Sequence, residues 1–397
     1  MIRENMIKKL FAAVFVMALF VGFVKSGSYL EIQKLADYLR QDMDPSDAEK
    51  VLNLLEAEFS STVWNQQDLI NLNGSMARLL NMQGFYSDMG MYVTDDLYIV
   101  SASDDTSTDY EFDEVAAFSA FLEENGINLL YVNEPTKYMD DALFSEEFGI
   151  ETYSNRNADV FIARLRDAGI PVIDLRDDIR ADGLDIFDLF YRTDHHWTTR
   201  AGLWAAQVIA GGLNEYCGYD IDTSIYDEMN YTFREWSECW LGEQGRKIAE
   251  TYVGLDDYTE ISPDFPTSYT FRSDDGDHEG TFDDFINESV YNLENNVYEN
   301  ESWHYSYRQI DCINHNIESG KVLIIGDSYE QVTEPFLSLG IRETDILSMR
   351  DYTDSFSLRE HILQNGYDTV IICYAQFMIG AHDDPSSANY RMFSFDN

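Results

Sequence analysis

The strongest candidate for covalent chemistry in this sequence is a serine that follows an apolar stretch. Ser328 comes after Gly326 and Asp327, which follow the apolar run Lys321–Ile325, and it precedes a stretch with helical spacing, Glu330–Leu337. A turn between a buried strand and a helix exposes the hydroxyl and directs main-chain N–H groups toward an oxyanion on an attacked carbonyl. Because a serine is a poor nucleophile until a neighbouring base takes its proton, the sequence must also supply that base.

The base is predicted in the segment Asp194-His195-His196. His196 lies two positions after Asp194, so in extended backbone both side chains point the same way. The carboxylate can then orient the imidazole and stabilise its protonated form. We therefore predict a triad of Ser328, His196 and Asp194, with His195 as the competing base. Two other interpretations stay open at this point: a Gly-Asp-Ser turn also suits a helix cap, and an Asp with paired His also suits a metal site.

Alternating buried strands and helices are predicted to position these residues. Strands with unalternated apolar sequences are expected at Leu97–Val100, Ile127–Val132, Ile170–Leu175, Lys321–Ile325, Thr344–Met349 and Thr369–Cys373. Helices are expected at Glu114–Glu124, Asn157–Ala168, Thr199–Leu213, Glu330–Leu337 and Ser357–Asn365. This alternation predicts an α/β fold with a doubly wound, flavodoxin-like parallel sheet that helices cover on both faces. In such sheets, sites form beyond the carboxyl ends of the strands, where the candidate residues come.

Two motifs together resemble a known superfamily. Gly326-Asp327-Ser328 on its strand resembles the first block of the SGNH (GDSL-like) hydrolases, and Asp194-His195-His196-Trp197 resembles the signature of the DHHW protein family. That family is similar to the bacterial alginate and cell-wall O-acetyltransferases, and the resemblance covers about residues 91–225 and 321–397. Ordinary SGNH enzymes carry the serine first and the Asp-His segment last. The reversed order here implies a circularly permuted SGNH fold.

The resemblance also implies roles for residues around the triad. SGNH hydrolases usually place oxyanion donors, a Gly and an Asn, after their second and third strands. Here Gln376 is expected to donate in place of the Asn, and Arg350 to bind an acyl oxyanion or the acceptor, or else to pair with Asp351. Tyr329 and Trp197, which adjoin the serine and the histidine, are further candidate substrate-binding residues.

The ends of the chain and its middle are predicted to have separate roles. Residues 1–28 are predicted to be a signal peptide or signal-anchor, because Arg3, Lys8 and Lys9 precede an apolar run from Leu10 to Val24. Residues 29–90 are predicted to form an N-terminal helical segment. The SGNH-like domain is expected in two parts, 91–225 and 320–397, separated by an acidic insertion at 226–319. Positive charge before the apolar run places the rest of the chain outside the cytoplasm.

Composition excludes some classes of partner. The formal net charge of -47 repels phosphate backbones, so nucleic acid is not expected as a partner. No nucleotide-binding loop or zinc-binding spacing is present, and we predict neither a cofactor nor a metal. Lys137 either lines the rim of the site or is a simple surface charge.

The cysteines and the aromatic residues of the middle region allow two further expectations. An oxidising compartment would permit one disulfide among Cys217, Cys239 and Cys312, whereas Cys373 lies in an apolar strand and is predicted to be a core thiol. The aromatic side chains could form a platform for sugars or the insertion's own core, and we favour the core. They include Trp236, Trp240, Phe271 and Trp303.

Three functions fit this sequence. The first is an O-acetyltransferase that passes an acetyl group from a donor, in one version a membrane-bound partner protein, to a polysaccharide acceptor. The second is a carbohydrate acetylesterase with the same triad. The third is a non-catalytic carbohydrate-binding or assembly protein, which a large distance between His196 and Ser328 would favour. The N-terminal segment, with its potential for membrane association, and the permuted order favour transfer.

Overall fold

The computed structural model describes residues 66–80, 82, 90–273, 276–286, 297, 311–352, 356–380 and 389–395. The chain divides into two compact units, residues 1–76 and 77–397. The predicted signal segment at 1–28 and most of the predicted N-terminal helical segment at 29–90 lie outside the described residues. Within the described ranges, no helix is long and apolar enough to cross a membrane.

The described strands and helices alternate along much of the chain. The strands are β1 Met91–Val93, β2 Ile99–Ser101, β3 Asn128–Glu134, β4 Val172–Asp174, β5 Tyr231–Trp240, β6 Asp256–Pro263, β7 Tyr269–Arg272, β8 His278–Gly280, β9 Asp311–Asn314, β10 Lys321–Gly326, β11 Glu343–Leu347 and β12 Thr369–Ala375. The α-helices are α1 Gln66–Leu79, α2 Asp109–Glu124, α3 Asp141–Phe148, α4 Ser154–Asp167, α5 Leu175–Asp182, α6 Thr199–Cys217, α7 Glu243–Ile248, α8 Glu250–Val253, α9 Glu330–Leu337 and α10 Leu358–Asn365.

The main sheet is mixed. In the described residues it has eight strands in the order β4-β3-β12-β10-β11-β9-β7-β8. The first five are mutually parallel, whereas β9, β7 and β8 join antiparallel at one edge. The predicted α/β fold is confirmed, but the prediction of a purely parallel sheet is wrong because strands of the 226–319 segment extend it. Strands β5 and β6 of that segment form a separate antiparallel pair.

Helices cover both faces of the sheet. Alternate residues of β3 point to opposite faces: Leu130 and Val132 join the apolar cluster with α6 and α9, while Leu129 and Tyr131 join the cluster with α2, α4 and α10. Strand β12 is buried along its whole length, which explains why its sequence shows no polar alternation. The central strands are therefore buried on both of their faces.

The four cysteines of the chain form no disulfide. The disulfide that an oxidising compartment would permit among Cys217, Cys239 and Cys312 is therefore absent, and these residues lie in three different elements, at the end of α6, in β5 and in β9. Cys373 is fully buried in β12, as predicted. Trp240 and Phe271 are each only 2% exposed, which agrees with a core role for these aromatic residues. Trp303 lies outside the described residues.

Candidate active site

A chain of two hydrogen bonds joins the three residues of the predicted triad. Ser328 Oγ lies 2.7 Å from His196 Nε2, and His196 Nδ1 lies 2.6 Å from Asp194 Oδ1. His196 and Asp194 are buried, whereas Ser328 is partly exposed. Asp194 and His196 thus face the same way, as their spacing predicts. The arrangement can remove the hydroxyl proton of Ser328 and hold the resulting imidazolium against a carboxylate.

The serine turn is fixed by the carboxylate of Asp327. Its Oδ1 accepts the main-chain N–H of Tyr329 at 2.9 Å, and its Oδ2 accepts that of Ala375, the last residue of β12, at 2.8 Å. Burial raises the pKa of Asp327, and these two N–H groups oppose that rise. Gly326 is required for close packing, since a Cβ there would lie 2.5 Å from Cγ of Glu330. The turn is therefore tied to the neighbouring strand.

Tyr329 and Trp197 connect the serine turn to the loop that carries the histidine. The hydroxyl of Tyr329 donates to the carbonyl of His195 at 2.6 Å, and the indole Nε1 of Trp197 donates to the carbonyl of Tyr329 at 3.0 Å. Trp197 is fully buried, so the expectation that it binds substrate is corrected: it positions the two loops. Tyr329 borders a cavity, but its hydroxyl is occupied by His195.

Both carboxylate oxygens of Asp194 accept N–H hydrogen bonds. Oδ1 accepts the main-chain N–H of His196 at 3.1 Å as well as its ring nitrogen, and Oδ2 accepts the main-chain N–H of Glu243 at 2.7 Å. Burial acts to raise the pKa of Asp194, but the charge and hydrogen bond of His196, the charge of His195 and the Glu243 N–H outweigh it. The pKa of Asp194 therefore lies well below its usual range, and the carboxylate is ionised.

The segment predicted as an insertion supplies the residues that hold this loop. Asp256, the first residue of β6, accepts the main-chain N–H groups of Arg192 and Thr193 at 2.8 and 2.9 Å. The N–H of Gly242 donates to Thr193 Oγ1 at 2.8 Å. A Cβ at Gly242 would lie 2.5 Å from Cβ of Asp194, so only glycine allows this approach. The 226–319 segment thus takes part in building the site.

His195 is near Asp194 but does not take the place of His196. Its Nδ1 lies 3.3 Å from Asp194 Oδ1. Burial, together with the charge of His196, lowers the pKa of His195 to about 4 despite the opposing carboxylate of Asp194. His195 is therefore neutral near pH 7, and the hydrogen bond to Ser328 comes from His196.

Lys137 is buried beside the site. Its ammonium donates to the carbonyl oxygens of Ile99 at 2.8 Å and Arg192 at 3.3 Å. Burial lowers the pKa of Lys137 to about 7, against the opposing effect of Asp256 and Asp194. The interpretation of Lys137 as a simple surface charge is wrong, because the side chain is only 5% exposed.

The structure gives Gln376 and Arg350 partners other than the triad. Both amide hydrogens of Gln376 are engaged, one by Ser154 Oγ at 2.8 Å and one by Asn155 Oδ1 at 3.2 Å. In this conformation neither is directed to an oxyanion. Arg350 is exposed and donates to Asn389 Oδ1 at 3.3 Å. Its charge also lowers the pKa of Asp327, which places it near the serine turn.

Two clusters among the described residues have metal-ligand chemistry. The ligand atoms of Asp194, His195 and His196 lie within 4.8 Å of one another. However, the ring nitrogens of His196 already bond to Asp194 and Ser328, so a metal ion there would replace the triad. The second cluster, Glu134, Glu330 and Cys373, is fully buried around the strand ends.

A cavity of about 310 Å³ borders the site through residues next to the triad. His195 and Tyr329 line it on the triad side, together with Phe377, Lys137 and Gln244. The ring of Phe377 lies 5.9 Å from the rings of both His195 and Tyr329. The cavity therefore adjoins the serine turn and the histidine loop.

Sequence reasoning missed the residues that hold the triad from a distance. Gly242, Glu243 and Asp256 lie 46 residues or more beyond His196 in the chain, and Glu243 acts only through its main-chain N–H. The one available signal was Gly242 itself, a glycine placed directly after the apolar pair Trp240-Leu241. That pattern predicts a turn and no function.

Comparison with known proteins identifies relatives of this arrangement. Residues 87–285, half of the chain, match the family model described as SGNH hydrolase-like domain, acetyltransferase AlgX. The match begins close to residue 91, where the resemblance was expected to begin, and it extends into the 226–319 segment, which was expected to lie outside it. No curated protein sequence matches the chain.

Solved structures share the fold at low sequence identity. Bacillus cereus PatB1 with a sulfonyl adduct is 18% identical with a TM-score of 0.60, over 77% of this chain and 100% of that one. A second PatB1 structure is 19% identical with a TM-score of 0.59, over 77% and 99%. A DHHW family protein from Eubacterium siraeum is 14% identical with a TM-score of 0.54, over 77% and 94%.

Proposed function

Because the chain belongs to the family of SGNH hydrolase-like domains of the acetyltransferase AlgX type, we propose that it is an O-acetyltransferase that modifies a polysaccharide through an acetyl-Ser328 intermediate. The observation that carries the proposal is the continuous hydrogen-bonded chain from Asp194 through His196 to the partly exposed Ser328. A triad is defined by this geometry and by the roles of its members.

The first half of the reaction forms the acyl-enzyme. Ser328 Oγ attacks the carbonyl carbon of the acetyl donor while His196 Nε2 takes the hydroxyl proton. The tetrahedral intermediate then collapses, its bond to the donor's leaving group breaks, and His196 returns the proton to that group. Asp194 stays ionised throughout, because its oxygens accept N–H groups of His196 and Glu243, and it stabilises the imidazolium.

The second half transfers the acetyl group. A sugar hydroxyl gives its proton to His196 and attacks the acetyl carbonyl, and the bond to Ser328 Oγ breaks as that oxygen recovers the proton. In both halves the main-chain N–H of Ser328, at the start of the turn before α9, donates to the oxyanion. Arg350, whose charge reaches Asp327, adds positive potential at this edge of the sheet.

The acetylesterase is the second candidate, since water in place of the sugar would release the same intermediate. The cavity beside His195 and Tyr329 favours transfer, because it offers an acceptor a binding site from which water can be displaced. The 2.7 Å contact of His196 with Ser328 disfavours the non-catalytic alternative.

The remaining parts of the proposal concern topology and location. The parallel strands stand in the order β11-β10-β12-β3-β4 from the mixed edge. Counted from the serine strand β10, this is the flavodoxin-like order 2-1-3-4-5, which supports a circular permutation. The basic residues before Leu10–Val24 support a location outside the cytoplasm, as a secreted or membrane-anchored protein. We propose a membrane-bound protein as the acyl donor.

The test is acyl release from p-nitrophenyl acetate by the full chain, with Ser328→Ala and His196→Ala beside it. We expect each variant to lose about 10³-fold or more in kcat, and the wild type to show one acetyl group on Ser328 by peptide mass spectrometry. A polysaccharide in half of the reactions separates the two enzymes: acetylated polymer identifies a transferase, and free acetate alone an esterase. Undiminished nitrophenol release by Ser328→Ala would contradict the proposal.

A further inference from the structure

The cavity beside the triad has polar groups with unused bonding capacity. The side-chain oxygen Oε1 of Gln244, on α7, is buried and has no hydrogen-bond partner among the described residues. A buried acceptor without a donor is destabilising, so a ligand that brings a donor to it is favoured. Gln244 also follows directly after Glu243, whose N–H holds Asp194. The same turn therefore serves the triad and the cavity.

Lys137 provides the complementary group. An amino group in its ammonium form has three N–H donors, and two of them bond to the carbonyls of Ile99 and Arg192. No further hydrogen bond joins Lys137 to the described residues, and Lys137 lines the cavity. Since burial brings the pKa of Lys137 to about 7, the third position on its nitrogen is a donor in the charged form and a lone pair in the neutral form. A hydroxyl can bond to either form, whereas a carboxylate can bond only to the donor.

The charges around the cavity disfavour an anion. Asp141 also lines it, and its carboxylate is fixed by the N–H groups of Asn155 and Arg156 at 3.1 and 3.0 Å. Lys137 already compensates the buried carboxyls of Asp194 and Asp256. An anionic ligand would therefore meet no uncommitted positive charge in the cavity lining, within a chain whose net charge is -47.

The apolar part of the lining is aromatic. Tyr138 and Phe377 are both partly exposed, and Tyr329 adds a third ring on the side of the serine turn. Aromatic faces pack against the C–H surfaces of a sugar ring, which also bears hydroxyls at its edge. The volume of about 310 Å³ lies at the lower end of the range for small-molecule sites, which suits one sugar unit.

We propose that this cavity binds one uncharged sugar unit of the acceptor, with a ring hydroxyl between the amide of Gln244 and the amino group of Lys137. The inference rests on the proposed function only in giving the bound sugar the role of acetyl acceptor, since binding itself requires no catalysis. It makes the 226–319 segment, through Gln244, a determinant of which polysaccharide is used. Uronic acids, which differ from the corresponding hexoses by a carboxylate, are excluded.

The test measures binding in the Ser328→Ala full chain, so that no reaction is needed. The probes are methyl glycosides of glucose, galactose and mannose, each paired with the methyl glycoside of its uronic acid, titrated by ligand-observed NMR. We expect at least one neutral glycoside to bind, and its uronide to bind at least tenfold more weakly. Failure of all three neutral glycosides, or equal or tighter binding of a uronide, would overturn the inference.

A pair of matched variants assigns binding to the cavity. Gln244→Leu, which keeps an uncharged branched side chain but removes the acceptor, should weaken binding of the neutral glycoside at least tenfold. Gln364→Leu makes the same exchange at an exposed position of α10 and should leave binding unchanged. Equal affinities of the two variants would overturn the inference.

The outcome is separable from that of the proposed function. Glycoside binding without Ser328-dependent release of nitrophenol would keep the sugar site and remove the transferase. Ser328-dependent release without glycoside binding would keep the enzyme and remove the sugar site.

Discussion

Two groups of buried carboxyls adjoin the serine turn, and they have opposite ionisation states. Asp194 is 2% exposed, and N–H groups donate to both of its oxygens. Glu134 and Glu330 are fully buried, and no N–H group of the described residues donates to their side chains. The pKa of Asp194 is lowered, whereas burial raises the pKa of Glu330 to about 7 and that of Glu134 further above its usual range.

The difference teaches that the charge of His196 together with hydrogen-bond donors, opposed by burial, decides which of these three carboxyls is ionised. All three side chains have lost almost all contact with water, so the cost of desolvation applies to each. Only for Asp194 is this cost of desolvation offset, by the charge and hydrogen bond of His196 and by the N–H of Glu243. Glu134 and Glu330 lie close together without such donors, so a proton on the pair costs less than two charges. The ionised carboxylate lies next to the base, where a charge is useful.

The largest effect on kcat should come from neutralising Asp194, the ionised carboxyl of the three. Asp194→Asn keeps the shape but removes the charge, and the amide can hold His196 in the wrong tautomer, so we expect kcat for p-nitrophenyl acetate to fall about 10⁴-fold. Glu134→Gln is the matched control, because an amide resembles a protonated carboxyl, and its kcat should stay within about threefold of the wild type. Comparable losses in both variants would contradict the assignment of charge states.

A second effect should appear in the pH dependence of stability. Below about pH 4.5, Glu330 is protonated in the folded and the unfolded chain, and its contribution is constant. Above that, the unfolded chain releases the proton while the folded chain keeps it up to about pH 7. Stability is therefore lost as the pH rises through this window, on the order of 3 kcal/mol for this group.

Glu330→Gln removes this loss, so its free energy of unfolding relative to the wild type should rise between pH 4.5 and pH 8. Urea unfolding at several pH values measures the difference. Glu360→Gln, on the exposed side of α10, is the control and should follow the wild type at every pH. Parallel profiles for Glu330→Gln and the wild type would show that the buried pair is not protonated in the folded chain.

A third effect tests the Glu243 N–H group that donates to Asp194. Gly242→Ala would place a methyl group 2.5 Å from Cβ and 2.7 Å from Oδ2 of Asp194, which displaces the carboxylate or the Glu243 N–H bonded to it. We expect kcat to fall about 10- to 100-fold with little change in KM for p-nitrophenyl acetate. Gly211→Ala, in α6 with no atom within 4 Å of the added Cβ, should leave both constants near the wild-type values. A loss expressed only in KM would count against a positioning role for Gly242.

The sequence predicted the pairing of Asp194 with His196, and it missed the residues from distant segments that hold Asp194 in place. Asp194 and His196 are two residues apart, so their pairing could be inferred from spacing. Ser328 was joined to them because it follows a buried strand and because the two motifs together resemble the SGNH and DHHW families. The donors from Glu243 and the support from Asp256 depend on packing between segments far apart in the chain. A main-chain N–H group that points toward a carboxylate leaves no pattern of residue types in the sequence, so these hydrogen bonds could not be predicted.

The fold divides in the same way. All five parallel strands overlap strands that were predicted from the sequence. Strands β7, β8 and β9 contain four residues or fewer and carry polar side chains, so their antiparallel addition to the sheet left no pattern to detect. The burial of Lys137 could not be predicted for a related reason, because the carbonyl oxygens that allow it belong to Ile99 and Arg192.

The smallest expected effect comes from the link between the serine turn and the histidine loop. Tyr329→Phe removes the hydroxyl that donates to the carbonyl of His195 at 2.6 Å, and it leaves that carbonyl without this donor. We expect a loss of about 1 kcal/mol in the free energy of unfolding. Because the indole of Trp197 still bonds to the carbonyl of residue 329, the two segments remain joined, and kcat should fall only about three- to tenfold.

Tyr216→Phe at the exposed end of α6 is the control for the loss of a hydroxyl and should change neither quantity. The double variant Tyr329→Phe with Trp197→Phe removes both links, so its loss of kcat should exceed the product of the two single losses if the links substitute for each other. A strictly multiplicative loss would mean that they act independently. In that case the alignment of His196 with Ser328 would depend on the N–H groups that donate to Asp194 and Asp327.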